Sequence, residues 1–112
     1  FGVAFDGVSS TAGGAIVQLV IQSSSGTLTA ATLAKRKRGT TEAFNSSGSF
    51  NASAEPSSTG EILRSYNVNQ MTGYERAFAE DEEIELLGGS RLGLTVTGSS
   101  AVNCHAFIDG EE

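Results

Sequence analysis

Tryptophan is absent, and cysteine, histidine, proline and methionine occur once each. A lone cysteine, Cys104, excludes an internal disulfide, so stability must come from packing or assembly. A lone histidine, His105, leaves the chain short of the three or four nitrogen and sulfur ligands that zinc takes. Basic residues are few: seven Lys and Arg stand against thirteen Asp and Glu, for a net charge of −6. That balance argues against general nucleic-acid binding, which needs a basic face. Long apolar runs are missing too. "AIVQLVI" is strand-sized, is interrupted by Gln18, and falls far short of the roughly 18–20 residues of a membrane span. No stretch has the layout of a signal peptide. The chain begins at Phe1 rather than Met, which processing or a missing leader would explain.

What is present points to strands. The 112 residues suit a single domain spanning 1–112. Ser, Thr, Gly and Ala dominate, a mix that suits short strands joined by turns. "RLGLTVTG" alternates, with Leu92, Leu94 and Val96 on one face, and reads as a half-buried antiparallel strand. "EIELL" before Gly88-Gly89-Ser90 reads as the other arm of a hairpin. "FGVAF", "AIVQLVIQ" and "EILRSYNVNQ" read as further strands, the last with Ile62, Arg64, Tyr66 and Val68 on one face. Tyr74, Arg76 and Phe78 are expected to share a face, and a turn of helix fits Glu80 to Glu83. "LTAATLAKRKR" suits a strand better than a helix. The Ser/Asn-rich middle reads as loop or short edge strand, with Phe44 and Phe50 as anchors. In all, seven or eight short strands predict an all-β fold, an antiparallel β-sandwich of jelly-roll type.

Candidate chemistry is sparse. Cys104 and His105 adjoin in "AVNCHAFIDGEE", but neighbours on a strand point to opposite faces and cannot form a thiol–imidazole pair. Cys104 is expected in the core with Val102 and Ile108, and His105 toward solvent or another subunit. Three copies of His105 round a trimer axis could hold a metal, although a plain surface histidine is the commoner arrangement. The run Glu80 to Glu85 lacks the turn glycine and spaced ligands of a calcium loop and reads as a solvated edge. Lys35, Arg36, Lys37 and Arg38 are contiguous; on a strand they would split two and two between the faces. Such a run marks an edge, a protruding strand or a loop. It is either a solvated rim or a docking strip for an acidic partner, such as the acidic run of a neighbouring subunit. "NSS" at Asn45 and "NAS" at Asn51 match glycosylation sequons, discounted for want of a signal peptide. No catalytic residue, cofactor site or metal site is assigned, and the chain reads as a binding or structural module and not an enzyme.

"FGVAFDGV", "AEPSSTGEILRSYNV" and "GSRLGLTVTGSSAVNCHAFIDGEE" resemble small β-sandwich proteins encoded by tailed bacteriophages. The final strands also resemble, more generically, the ending of jelly-roll trimers related to tumour necrosis factor. The phage resemblance implies a virion component: a capsid decoration, or cement, protein. Such a protein would be made in the host cytoplasm and would bind the major capsid protein on the outside of the head as a homotrimer, with neither nucleic acid nor membrane as partner. The rival readings are a tail or fibre module that binds a host receptor or glycan and, last, a small cupin-like enzyme, which would need several histidines.

Overall fold

The computed structural model describes residues 1–6, 13–35, 39, 41, 43–99, 101 and 103–110. Among them there are eight strands and no helix: β1 (Gly2–Phe5), β2 (Gly14–Gln22), β3 (Thr27–Ala31), β4 (Gly48–Ala54), β5 (Ser58–Asn69), β6 (Tyr74–Glu75), β7 (Leu92–Gly98) and β8 (Cys104–Phe107). The strands form three antiparallel sheets, ordered β6-β1-β8, β5-β2-β7 and β3-β4.

β2 shows why this sequence makes sheet. Its β-branched residues favour extended backbone, and its alternation sets Ala15, Val17 and Leu19 on one face, where they are 0–1% exposed. Both of its edges are paired. Val68, Tyr66 and Arg64 of β5 align with Ala15, Val17 and Leu19, while Gly98, Val96 and Leu94 of β7 align with the same three from the other side. Below Leu19 the register with β5 slips, and Ile62 pairs with Val20. Leu63 is the extra residue of a bulge, which breaks the period-2 reading of β5 at Ile62 and leaves that side chain 52% exposed.

The core joins two sheets. Phe1 and Val3 come from the β1 side, and Val17, Leu19 and Val68 from the β2 sheet, in one buried cluster. Phe1 is its aromatic centre, with ring centroids 5.6 Å from Tyr66, 6.0 Å from Tyr74 and 5.8 Å from Phe78. Its backbone is held as well: Phe1 N donates to Arg76 O at 2.9 Å, and Arg76 N donates to Phe1 O at 2.9 Å. Tyr74 and Phe78 thus share the core side, as their spacing suggests, although β6 itself is only two residues long. Gly73 makes the entry to β6 possible. Its φ of 68° is left-handed, and a Cβ there would meet Val3 O at 2.6 Å.

Other expectations change. "EIELL" forms no strand; β7 pairs with β2 instead, and the acidic residues before the Gly88-Gly89 turn stay in coil. Residues 80–82 form a turn closed by Glu82 N donating to Ala79 O at 2.8 Å. β7 and β8 lie in different sheets, so the chain passes from one sheet to the other between them. β3 ends at Ala31, and Lys35 follows it in coil. The two-and-two split expected of the basic run falls on Arg36, Lys37 and Arg38, outside the described residues.

β3 and β4 form a two-stranded ribbon apart from the core. No ribbon residue is buried, and none joins the core cluster. Phe44 and Phe50, expected as anchors, are 40% and 49% exposed. The ribbon is tied to the body at its base, where Ser23 N donates to Ser57 O at 2.8 Å and Ser57 N donates to Ser24 Oγ at 3.0 Å. Gly26, with φ 58°, turns the chain there, and a Cβ on it would collide with Ala54 O.

The core and ribbon should respond differently to truncation. Leu19→Ala, at a 1% exposed site, is expected to cost about 2–5 kcal/mol in urea unfolding. Phe50→Ala is expected to stay within about 0.5 kcal/mol at low protein concentration.

Candidate functional site

β8 carries the first candidate pair. Its register sets Cys104 opposite Phe5 and His105 opposite Ala4, so the two side chains leave the strand on opposite faces. Cys104 does lie on the side of the sheet that carries Val3 and Phe5. It is nevertheless exposed, against the expectation of a core residue. The reason is position across the sheet: β8 is an outer strand, and all four of its residues are exposed. Val102 falls outside the described residues, and Ile108, the other expected core neighbour, is 45% exposed. Asn103 clips β8 to the end of β1: its Nδ2 donates to Asp6 Oδ2 at 2.9 Å, and its carbonyl accepts from Asp6 N at 3.3 Å. His105 is exposed on the outer face, where Phe107 of the same strand lies over Gly2. Among the described residues no three His, Cys, Asp or Glu side chains gather into a group that could hold a metal ion.

The ribbon presents the second candidate surface. Thr29 pairs with Phe50 and Ala31 with Gly48, so these four share one face. Leu33 continues that face beyond β3. Its Cδ2 lies over Gly48, 2.6 Å from where a Cβ would stand, so a side chain there would displace Leu33. Lys35 then stacks its Nζ over the Phe44 ring, 5.4 Å from the centroid. Leu33 and Phe50 thus lie on one face of the ribbon and Phe44 lies under Lys35, with each of the three apolar residues 38–49% exposed. Asn51, with φ 49°, sits where the β3–β4 register slips, a backbone position asparagine tolerates better than most residues. Of the expected partner-contact residues, the structure describes Lys35 and His105 and does not bring them together in one site.

The segment between β6 and β7 is the third. Arg76 Nη2 donates to Glu82 Oε2 at 2.8 Å, and its guanidinium lies over the Tyr66 and Phe78 rings at 5.9 and 5.6 Å. The hydrogen bond from Arg76 and its charge hold the Glu82 carboxyl below its ordinary range, and Glu82 in turn raises Arg76. This clamp fixes one acid of the run against the aromatic cluster. Ile84 packs on the core, while Leu86 and Leu87 point away, 43% and 85% exposed. Acidic side chains and two exposed leucines therefore occupy one short loop.

A shallow, open pocket of about 190 Å³ lies between β2 and β5, lined by Gly13, Gly14, Asn67, Val68 and Asn69. It holds no charged or nucleophilic side chain. Among the described residues no helix is long and apolar enough to cross a membrane. The chain matches no family profile, no curated protein and no solved structure. The functional reading therefore rests on the chain itself.

Sequence patterning missed the exposed apolar residues of the ribbon and the Leu86-Leu87 pair. A signal for both existed: large apolar residues in stretches whose neighbours offer no alternation to bury them.

Two outcomes follow. Native Cys104 is expected to react with a small maleimide at a rate close to that of the unfolded chain. Glu82 has a lowered folded pKa, so its contribution to stability is present above the ordinary glutamate range and lost as pH falls through the folded value. A double-mutant cycle of Arg76→Ala and Glu82→Ala should show a small favourable coupling in melts at pH 7 and none at about pH 2.

Proposed function

We propose that this chain is a non-catalytic structural component of a bacteriophage virion. In this reading it is a capsid decoration protein with a jelly-roll-like β-sandwich body that binds the major capsid protein on the outer surface of the head, as a homotrimer. One observation carries the assembly part of that reading. Among the described residues ten large apolar side chains are exposed, whereas seven apolar residues are buried. A surface this rich in large hydrophobics, three of them on a ribbon outside the core, suits a protein completed by partners. The resemblance of the end strands and the "AEPSSTGEILRSYNV" segment to phage β-sandwich proteins supplies the partner class.

Physical requirements agree. A cement protein made in a reducing cytoplasm must be rigid without disulfides, which suits a body of antiparallel strands packed on a common core. It needs no chemistry. It stabilises the shell because it binds the assembled form in preference to free subunits, so shell stability rises with its concentration. A threefold arrangement on a shell repeats each weak contact three times and converts it into avidity.

The test uses purified heads of the phage that encodes the chain. Cryo-EM density for it on the outside of the shell, together with a higher melting temperature for decorated than for stripped heads, is the expected result. Density confined to the tail would replace this reading with a receptor- or glycan-binding fibre module, and absence from the virion would overturn both.

A further inference from the structure

The β5-β2-β7 sheet ends on one side at β7. Edge strands are normally kept from pairing with other chains by charge, proline, bulges or shortness. The remaining edges have such protection. β5 carries the bulge at Leu63, with Glu61 and Arg64 close by. β6 and β8 are two and four residues long, and β3 and β4 slip register against each other. β7 has none of it. Leu92–Gly98 runs seven residues without charge or proline, in unbroken register with β2.

Register also fixes which backbone groups of β7 face outward. Gln22 N donates to Arg91 O at 3.0 Å, so Arg91 faces β2. Facing alternates along an antiparallel strand, so Gly93, Thr95 and Thr97 turn their N–H and C=O groups to β2 as well. Leu92, Leu94, Val96 and Gly98 turn theirs the other way. Among the described residues no strand and no backbone hydrogen bond meets that side of β7. Leu92, Leu94 and Val96 pack at the rim of the core and stay half-buried. The edge therefore joins a row of open donors and acceptors to apolar side chains that the fold covers only in part.

We infer that β7 pairs antiparallel with β7 of a second copy of this chain, about a twofold axis through Thr95. The two sheets then become one, ordered β5-β2-β7-β7-β2-β5. The strand's own register selects a second copy as the occupant. Centred on Thr95, the whole strand is used: Leu92 meets Gly98, Gly93 meets Thr97 and Leu94 meets Val96, each in both directions. Outward-facing residues meet outward-facing residues, so each such pair exchanges N–H···O bonds. Thr95 meets Thr95, a cross-strand pair that stabilises sheets, and Leu94 and Val96 cover each other at the rim. No like charges come together, because the flanking Arg91 falls opposite Ser99. The inference goes beyond the capsid reading and uses none of the exposed apolar side chains on which that reading rests. A twofold contact at β7 and a threefold contact elsewhere are compatible, since they occupy different surfaces.

The test is self-association of the purified chain, by native mass spectrometry and analytical ultracentrifugation. Wild type is expected to form dimers that do not weaken as salt rises from about 0.05 to 0.5 M, because no ion pair spans the contact. Thr95→Lys should weaken the dimer about fivefold or more, and so should Thr95→Glu, since each sets like charges side by side at the axis. An equal mixture of the two variants should recover dimers, with the mass of the Lys/Glu heterodimer. Thr95 lies outside the buried cluster, and circular dichroism and thermal melting check that each variant remains folded. Amide exchange by NMR reads the edge directly. The Leu94 and Val96 amides should become protected as dimers form, whereas those of Gly93, Thr95 and Thr97 are protected at every concentration. A wild-type chain that stays monomeric at about 0.1 mM would overturn the inference. So would an oligomer whose Leu94 and Val96 amides exchange as fast as in the dilute chain, or a variant mixture that forms no heterodimer. Dimers that form as described but fail to bind heads would leave this contact standing and remove the capsid reading alone.

Discussion

The pairing of β2 along both of its edges is the constraint on which the rest of the body depends. Val17 and Leu19 are almost fully buried because β5 and β7 flank them and Phe1 and Val3 pack with them from the other sheet. Without β2 the partners of Val68, Leu94 and Val96 would have no common surface. The second sheet is held to this one through Phe1, whose ring meets Tyr66 of β5 and Tyr74 and Phe78 beyond the β1 edge. One hydrophobic strand and one aromatic ring therefore define where the two sheets meet.

That economy explains what is left outside. A body with so few buried apolar residues cannot also enclose β3, β4, β8 and the loop after β6. Cys104 shows the limit at one margin: it has the right face and the wrong strand. Leu33, Phe44 and Phe50 show it on the ribbon, and Leu87 in the acidic loop. The interior is settled by apolar alternation, and the large apolar side chains that it leaves out stay at the surface.

Much of this was legible in the chain. The all-β class and the inward faces of β2 and β7 follow from period-2 alternation of large apolar residues. The opposite facing of Cys104 and His105 follows from the geometry of a strand. What could not be read was pairing. "EIELL" has a strand-like composition, yet β7 finds β2, because a long-range match of three apolar pairs outweighs a nearby turn. Burial at β8 depended on its place at the margin of a sheet, which no local pattern encodes. The bulge at Leu63 likewise arises from registering β5 against β2. The shared face of Leu33 and Phe50 became visible only when β3 and β4 were paired and Leu33 was seen to lie over Gly48.

The central claim is that the β3–β4 ribbon is separate in stability from the β2 core, because none of its residues is buried or joins the core cluster. Amide hydrogen exchange of the purified chain at low concentration tests it most directly. The account predicts slow exchange in β2 and fast exchange in β3 and β4. Ribbon amides protected as strongly as those of β2 would contradict it.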